Sequence, residues 1–104
     1  MEEVEQEFSG LTLAQKERLY LLAEEASEII KNVTKILRFG YDSYNPYEPE
    51  KGSNLQQLIT EMGDLTAVQR LMMTNGDFNP GPICEAADAK YAKLPRFLRQ
   101  QHNF

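Results

Sequence analysis

Two long stretches of this chain carry apolar residues at helical spacing, and each has its own start and stop signal. The first opens at Thr12-x-x-Gln15, a capping box in which the two side chains satisfy free N–H groups at a helix start. It continues unbroken to Phe39-Gly40, where glycine supplies the stop. Plotted at 100° per residue, Leu19, Leu22, Ala26, Ile29, Ile30, Val33, Ile36 and Leu37 fall within an arc of about 120°. Ser53-x-x-Gln56 opens the second stretch, which runs to Asn75-Gly76 with Leu55, Leu58, Ile59, Met62 and Leu65 on its core arc. No alternation of period two occurs anywhere. The chain is expected to be all-α and to contain a helical hairpin.

The rest of the chain is subordinate to that hairpin. Residues 40–53 hold Gly40, Pro46, Pro49 and Gly52 together with Tyr41, Tyr44 and Tyr47, and read as a loop long enough for a functional role. A turn-rich link at 77–82 leads to a third helix expected over residues 83–94, with Pro82 in its first turn and Glu85 and Asp88 near its positive end. Pro95 interrupts it, and a short basic tail, 96–104, has room for further helix. Residues 1–10 read as a frayed polar leader and 11–104 as one domain. Leu13, Leu21, Val68 and Leu71 lie outside the main arcs, more apolar surface than a lone hairpin covers. A second chain completing a four-helix-bundle-like core, in a homodimer or dimer of dimers, is the expected remedy.

The formal charge of −5 argues against nucleic acid and anionic lipid as partners. A polyanionic ligand then needs metal ions or a local basic patch. The acidic start of the chain has neither the basic nor the apolar region of a secretory signal, so none is expected. No apolar run approaches the ~18 residues of a membrane span. Cys84 is the only cysteine, which excludes an intramolecular disulfide and fits a reduced, cytoplasmic setting. At the start of a helix its thiol is open to activation, but an inert buried cysteine is the expectation. Met62, Met72 and Met73 read as core.

Within the two long helices stand Glu24-Glu25-x-x-Glu28 and Glu61-x-x-Asp64. Residues three apart share a helix face, so each cluster presents paired carboxylates on one side. Carboxylates on a helix are ordinarily a solvated face. Here Glu25 and Glu61 sit at the edge of the apolar arcs, and Leu21 and Val68 flank the acids by one turn. Glu24 and Glu28 repel, Glu61 and Asp64 repel, and Gly63 between the latter costs about 1 kcal/mol relative to alanine. A divalent cation would turn those conflicts into attraction. The donors are all oxygen, with neither histidine nor cysteine beside them, which favours Mg²⁺, or Mn²⁺, over Zn²⁺ and Cu²⁺. Di-iron bundles require Glu-x-x-His on two helices, whereas Lys31 and Asp64 occupy the matching positions and the only histidine is His102.

Glu24-Glu25-Ala26-Ser27-Glu28 followed by Glu61-Met62-Gly63-Asp64 resembles the EExxE…ExxD signature of the MazG-like, all-α nucleoside triphosphate pyrophosphohydrolases. The segments Lys35-Ile36-Leu37-Arg38-Phe39-Gly40 and Ser43-Tyr44-Asn45-Pro46 look like those of short stand-alone members, some of them carried by bacteriophages. The resemblance spans roughly residues 20–94. It implies cleavage of the α–β phosphate bond of a (deoxy)nucleoside triphosphate to monophosphate and pyrophosphate. It further implies Mg²⁺ on Glu25, Glu28, Glu61 and Asp64, with Glu24, or Glu28, orienting or deprotonating the attacking water, and a base pocket close to a subunit interface. Asp88-Ala89-Lys90-Tyr91 stands where the family often has Asn-x-Lys-aromatic, a departure because a carboxylate cannot donate as an amide does.

Lys35, nearly on the face of Glu28, and Lys31 beside it are candidates for phosphate contact, although both also suit ordinary surface pairs. Lys90 and Lys93 on the third helix have a similar claim. Tyr44, with Tyr41 and Tyr47, is placed either to stack on a base or to pack the loop. Two rival functions stay open: a non-catalytic helical binding or regulatory module, and a hydrolase of a related pyrophosphate-containing nucleotide such as an alarmone.

Overall fold

A computed structural model describes residues 8–104; most of the expected leader, residues 1–7, lies outside that range. The described residues form three α-helices: α1 (Leu13–Phe39), α2 (Asn54–Thr74) and α3 (Pro80–Lys93). Two 3₁₀ turns, Pro49–Lys51 and Leu94–Arg96, complete the set, and no β-strand occurs among the described residues. Among the described residues no helix is long and apolar enough to cross a membrane.

Both capping boxes form. The Thr12 hydroxyl accepts from the Gln15 N–H at 3.0 Å while the Gln15 side chain accepts from the Thr12 N–H at 2.9 Å. Ser53 and Gln56 exchange the same pair at 3.1 and 2.7 Å. Gly40 ends α1 with its N–H on the Ile36 carbonyl. The connecting loop folds back on the hairpin: buried Asn54 donates its side-chain amide to the Gly40 carbonyl at 3.1 Å and its backbone N–H to Ser43 at 2.8 Å. At Gly52 the backbone has φ 77°, and a Cβ there would collide with the Gln56 side-chain oxygen that completes the second box. Glycine is therefore required where the 3₁₀ turn hands over to α2.

The helices α1 and α2 run antiparallel along one seam. Leu22, Ile29, Ile36, Leu58 and Leu65 are half-buried there, and Val68 and Met72 are the buried apolar residues among those described. Arg18 lies at the far end, its guanidinium forking onto Asp77 at 2.6 and 2.9 Å and tying α1 to the exit of α2. That fork, opposed by partial burial, holds the Asp77 carboxyl below the usual carboxylate range.

Four expectations need correction. Most of the α1 arc is open: Leu19, Ala26, Ile30, Val33 and Leu37 are exposed, as are Leu55, Ile59 and Met62 on α2, because a single partner helix covers only one edge of each apolar stripe. The third helix begins at Pro80, three residues early, since Pro80 suits a first helical turn as well as Pro82 does. Every residue of α3 is exposed, Cys84 included, because α3 projects from the hairpin and packs chiefly on its own following turn. Helix does not continue into the tail beyond Arg96.

Candidate functional site

The two edges of the hairpin differ in chemistry. Helical spacing places Glu25, Glu28, Asn32 and Lys35 on one edge of α1, and antiparallel packing brings Asp64, Glu61, Thr60 and Gln57 of α2 alongside in reverse order. Ile30, Val33, Leu37, Ile59 and Met62 form the opposite, apolar edge. Amphipathicity of each helix thus yields one polar groove and one bare apolar strip.

Glu25, Glu61 and Asp64 each offer a carboxylate oxygen, and these oxygens lie within 4.8 Å of one another. Glu25 and Glu61 are half-buried and Asp64 is exposed. Burial, then the charges of Asp64 and Glu61, a hydrogen bond with Glu61 and the charge of Glu24 hold the Glu25 carboxyl above the usual carboxylate range. Packing Glu25 among like charges disfavours its ionised form. A hard divalent cation relieves the same repulsion with oxygen donors only, and the donor set fits Mg²⁺ or Mn²⁺.

Glu28, one turn along α1, is not among these three gathered carboxylates and lines, with Glu61, an adjoining cavity of about 360 Å³. The cavity continues past Asn32 and Thr60 to a basic end made by Lys31, Lys35 and Lys51, with Gln57 opposite. Lys35 donates to the Gln57 side-chain oxygen at 3.3 Å. Lys51 reaches in from the 3₁₀ turn and pairs with Glu48 at 2.8 Å. The hydrogen bond and charge of Lys51, with smaller contributions from Lys35 and Lys31, hold the Glu48 carboxyl low against its partial burial. Three ammonium groups therefore converge at one end of a cavity whose other end is acidic.

Asn32 sits in the middle. It is 5% exposed, lines the cavity, and its side-chain amide makes no hydrogen bond with any described residue. Leaving such a group dry and unpaired costs about 1–3 kcal/mol.

The other sequence candidates lie elsewhere in the single chain. Glu24 is exposed and lines a separate shallow cavity with Tyr20 and Leu21. Tyr44 lines a third cavity with Phe39 and Asn54, which meets the basic one only at Lys35. Lys90 and Lys93 ride on the projecting α3, where the Lys90 ammonium sits 5.5 Å from the centre of the Phe97 ring. Asn32, Lys51, Gln57 and Thr60 are the groove residues that sequence reasoning missed. The available signal for Asn32 was an amide one turn beyond Glu28 at the border of an otherwise apolar arc. No protein-family model matches the chain, and no curated protein or solved structure matches it either.

Proposed function

We infer that the chain is a Mg²⁺-dependent nucleoside triphosphate pyrophosphohydrolase of the MazG-like kind, splitting the α–β phosphate bond to give a nucleoside monophosphate and pyrophosphate. The observation that carries this reading is the convergence of Glu25, Glu61 and Asp64 from two helices beside a cavity that grades from acidic to basic. A polyanion with a cation at one end has the complementary pattern.

Glu25, Glu61 and Asp64 would hold the cation, with Glu28 reaching it from the cavity side. Bound there, Mg²⁺ supplies Lewis-acid neutralisation of phosphate charge and acidifies water. Glu28 or Glu24 accepts the proton of the attacking water; Glu28 is nearer the cavity, and Glu24 acts if the groove is shared between subunits. Lys35 and Lys31 stabilise the charge that develops on departing pyrophosphate. Lys90, Lys93 and Tyr44 contribute to nucleotide binding only if a second subunit brings them to the groove. A homodimer, or dimer of dimers, burying the apolar edge is part of the reading, as is a cytoplasmic setting where Mg²⁺ and nucleotides coexist.

Incubation of the purified chain with Mg²⁺ and a panel of canonical, modified and alarmone nucleotides tests the activity. Pyrophosphate and monophosphate appear with at least one of them, and Glu61→Gln lowers the rate by about 100-fold or more, as expected when a charge-neutralising ligand is lost. A folded protein that turns over none of the panel is a binding or regulatory module instead.

A further inference from the structure

The basic end of the groove is more specific than a metal centre requires. Along the α1 axis Asn32 lies about 6 Å beyond Glu28, and Lys35 about 4.5 Å beyond that. Glu28 and Glu61 mark the acidic end, and Lys31, Lys35 and Lys51 surround the other. No aromatic residue lines this cavity, so nothing in it stacks on a base. Between the two ends Asn32 is buried, its amide unpaired among the described residues. The N–H groups of the Asn32 amide, with the ammonium groups of Lys31, Lys35 and Lys51 around them, form a lining for phosphate oxygens.

Lys51 differs from the other two lysines in origin. It belongs to the turn between the helices, and Glu48 from the same turn holds it in an exposed pair at 2.8 Å. Such a pair is weak and exchangeable. A phosphate entering the cavity offers Lys51 a more highly charged partner without displacing any buried contact.

We propose that this cavity counts phosphates: the Asn32 amide donates to the middle of a polyphosphate, and Lys51 leaves Glu48 to bind the terminal phosphate of a triphosphate. The assignment deepens the pyrophosphohydrolase reading and rests on it for the nucleotide, though not for the polyphosphate itself. Diphosphates reach Asn32 and fall short of Lys51, so chain length is discriminated at the end remote from the base.

Titration calorimetry of the full chain with inorganic tripolyphosphate and with pyrophosphate, each in excess Mg²⁺, tests this directly. Tripolyphosphate binds about tenfold or more tightly than pyrophosphate, and Lys51→Gln removes that advantage while leaving pyrophosphate binding unchanged, the loss of one charge-assisted contact. Asn32→Leu weakens both ligands and raises the melting temperature, because an unpaired buried amide is replaced by an apolar group of similar volume. A purely structural asparagine would instead lower it. Equal affinity for the two ligands, wild-type binding by both variants, or a lower melting temperature for Asn32→Leu would each overturn the proposal. Absence of nucleotide turnover with the tripolyphosphate preference intact sinks the hydrolase reading alone; turnover without that preference sinks only the phosphate-counting site.

Discussion

A carboxylate at position 25 meets two others, and its preferred protonation state follows from that company. Its folded pKa is raised, so between the ordinary carboxylate value and the raised one the folded protein holds more protons than the unfolded chain. The stability owed to this residue is greatest at low pH and declines as pH rises through that window. Glu25→Gln removes the dependence. In metal-free buffer the melting temperature of the variant, measured relative to wild type over a pH series, climbs from acid towards neutrality; saturating Mg²⁺ at neutral pH reverses the ranking. A pH-independent difference would mean the three carboxylates do not interact. At this scale the acidic positions were legible because three-residue spacing is a local property of one helix. Asn32 and Lys51 were not, since the burial of one depends on where α2 lies and the placement of the other on how the loop folds.

Helix boundaries were legible for the same reason. Thr12 with Gln15, Ser53 with Gln56, and Gly40 are start and stop signals written within a few residues, and the helices obey them. The start of α3 lies three residues before the sequence expectation because Pro80 fills the first-turn role expected of Pro82. Its failure to dock is a tertiary fact with no local signature. Gly63 shows how an element can be tested. It interrupts α2 between Glu61 and Asp64, and a Cβ added there meets nothing within 4 Å. Gly63→Ala should therefore stabilise the protein by about 1 kcal/mol in denaturant unfolding, with cation binding unchanged. Destabilisation would reveal that another surface closes on that face.

The whole molecule is open for its size. Its radius of gyration is 17.7 Å, against about 13 Å for a compact chain of this length. Its accessible surface is 8468 Å², against roughly 5,900 Å² for a compact monomer of this mass. Projection of α3 and the tail accounts for part of the excess, and the bare strip with Ile30 at 67% and Leu37 at 82% exposure for another part. A lone hairpin cannot cover both edges of two apolar stripes, which is why the arcs read as core in sequence are largely open here. Sedimentation equilibrium should return at least twice the 11.9 kDa chain mass, and Leu37→Glu should shift it towards one chain. A wild-type monomer at micromolar concentration would refute pairing through this edge.

The hydrolase reading depends on acidic side chains from two helices sharing one divalent ion. Electron paramagnetic resonance of Mn²⁺ titrated into the protein reports that directly, since bound Mn²⁺ loses the sharp signal of the free ion. Saturable binding that Mg²⁺ displaces, and that Glu25→Gln and Glu61→Gln each abolish, is the predicted result. Mn²⁺ bound equally well by both variants, or not bound at all by the folded wild type, would contradict it.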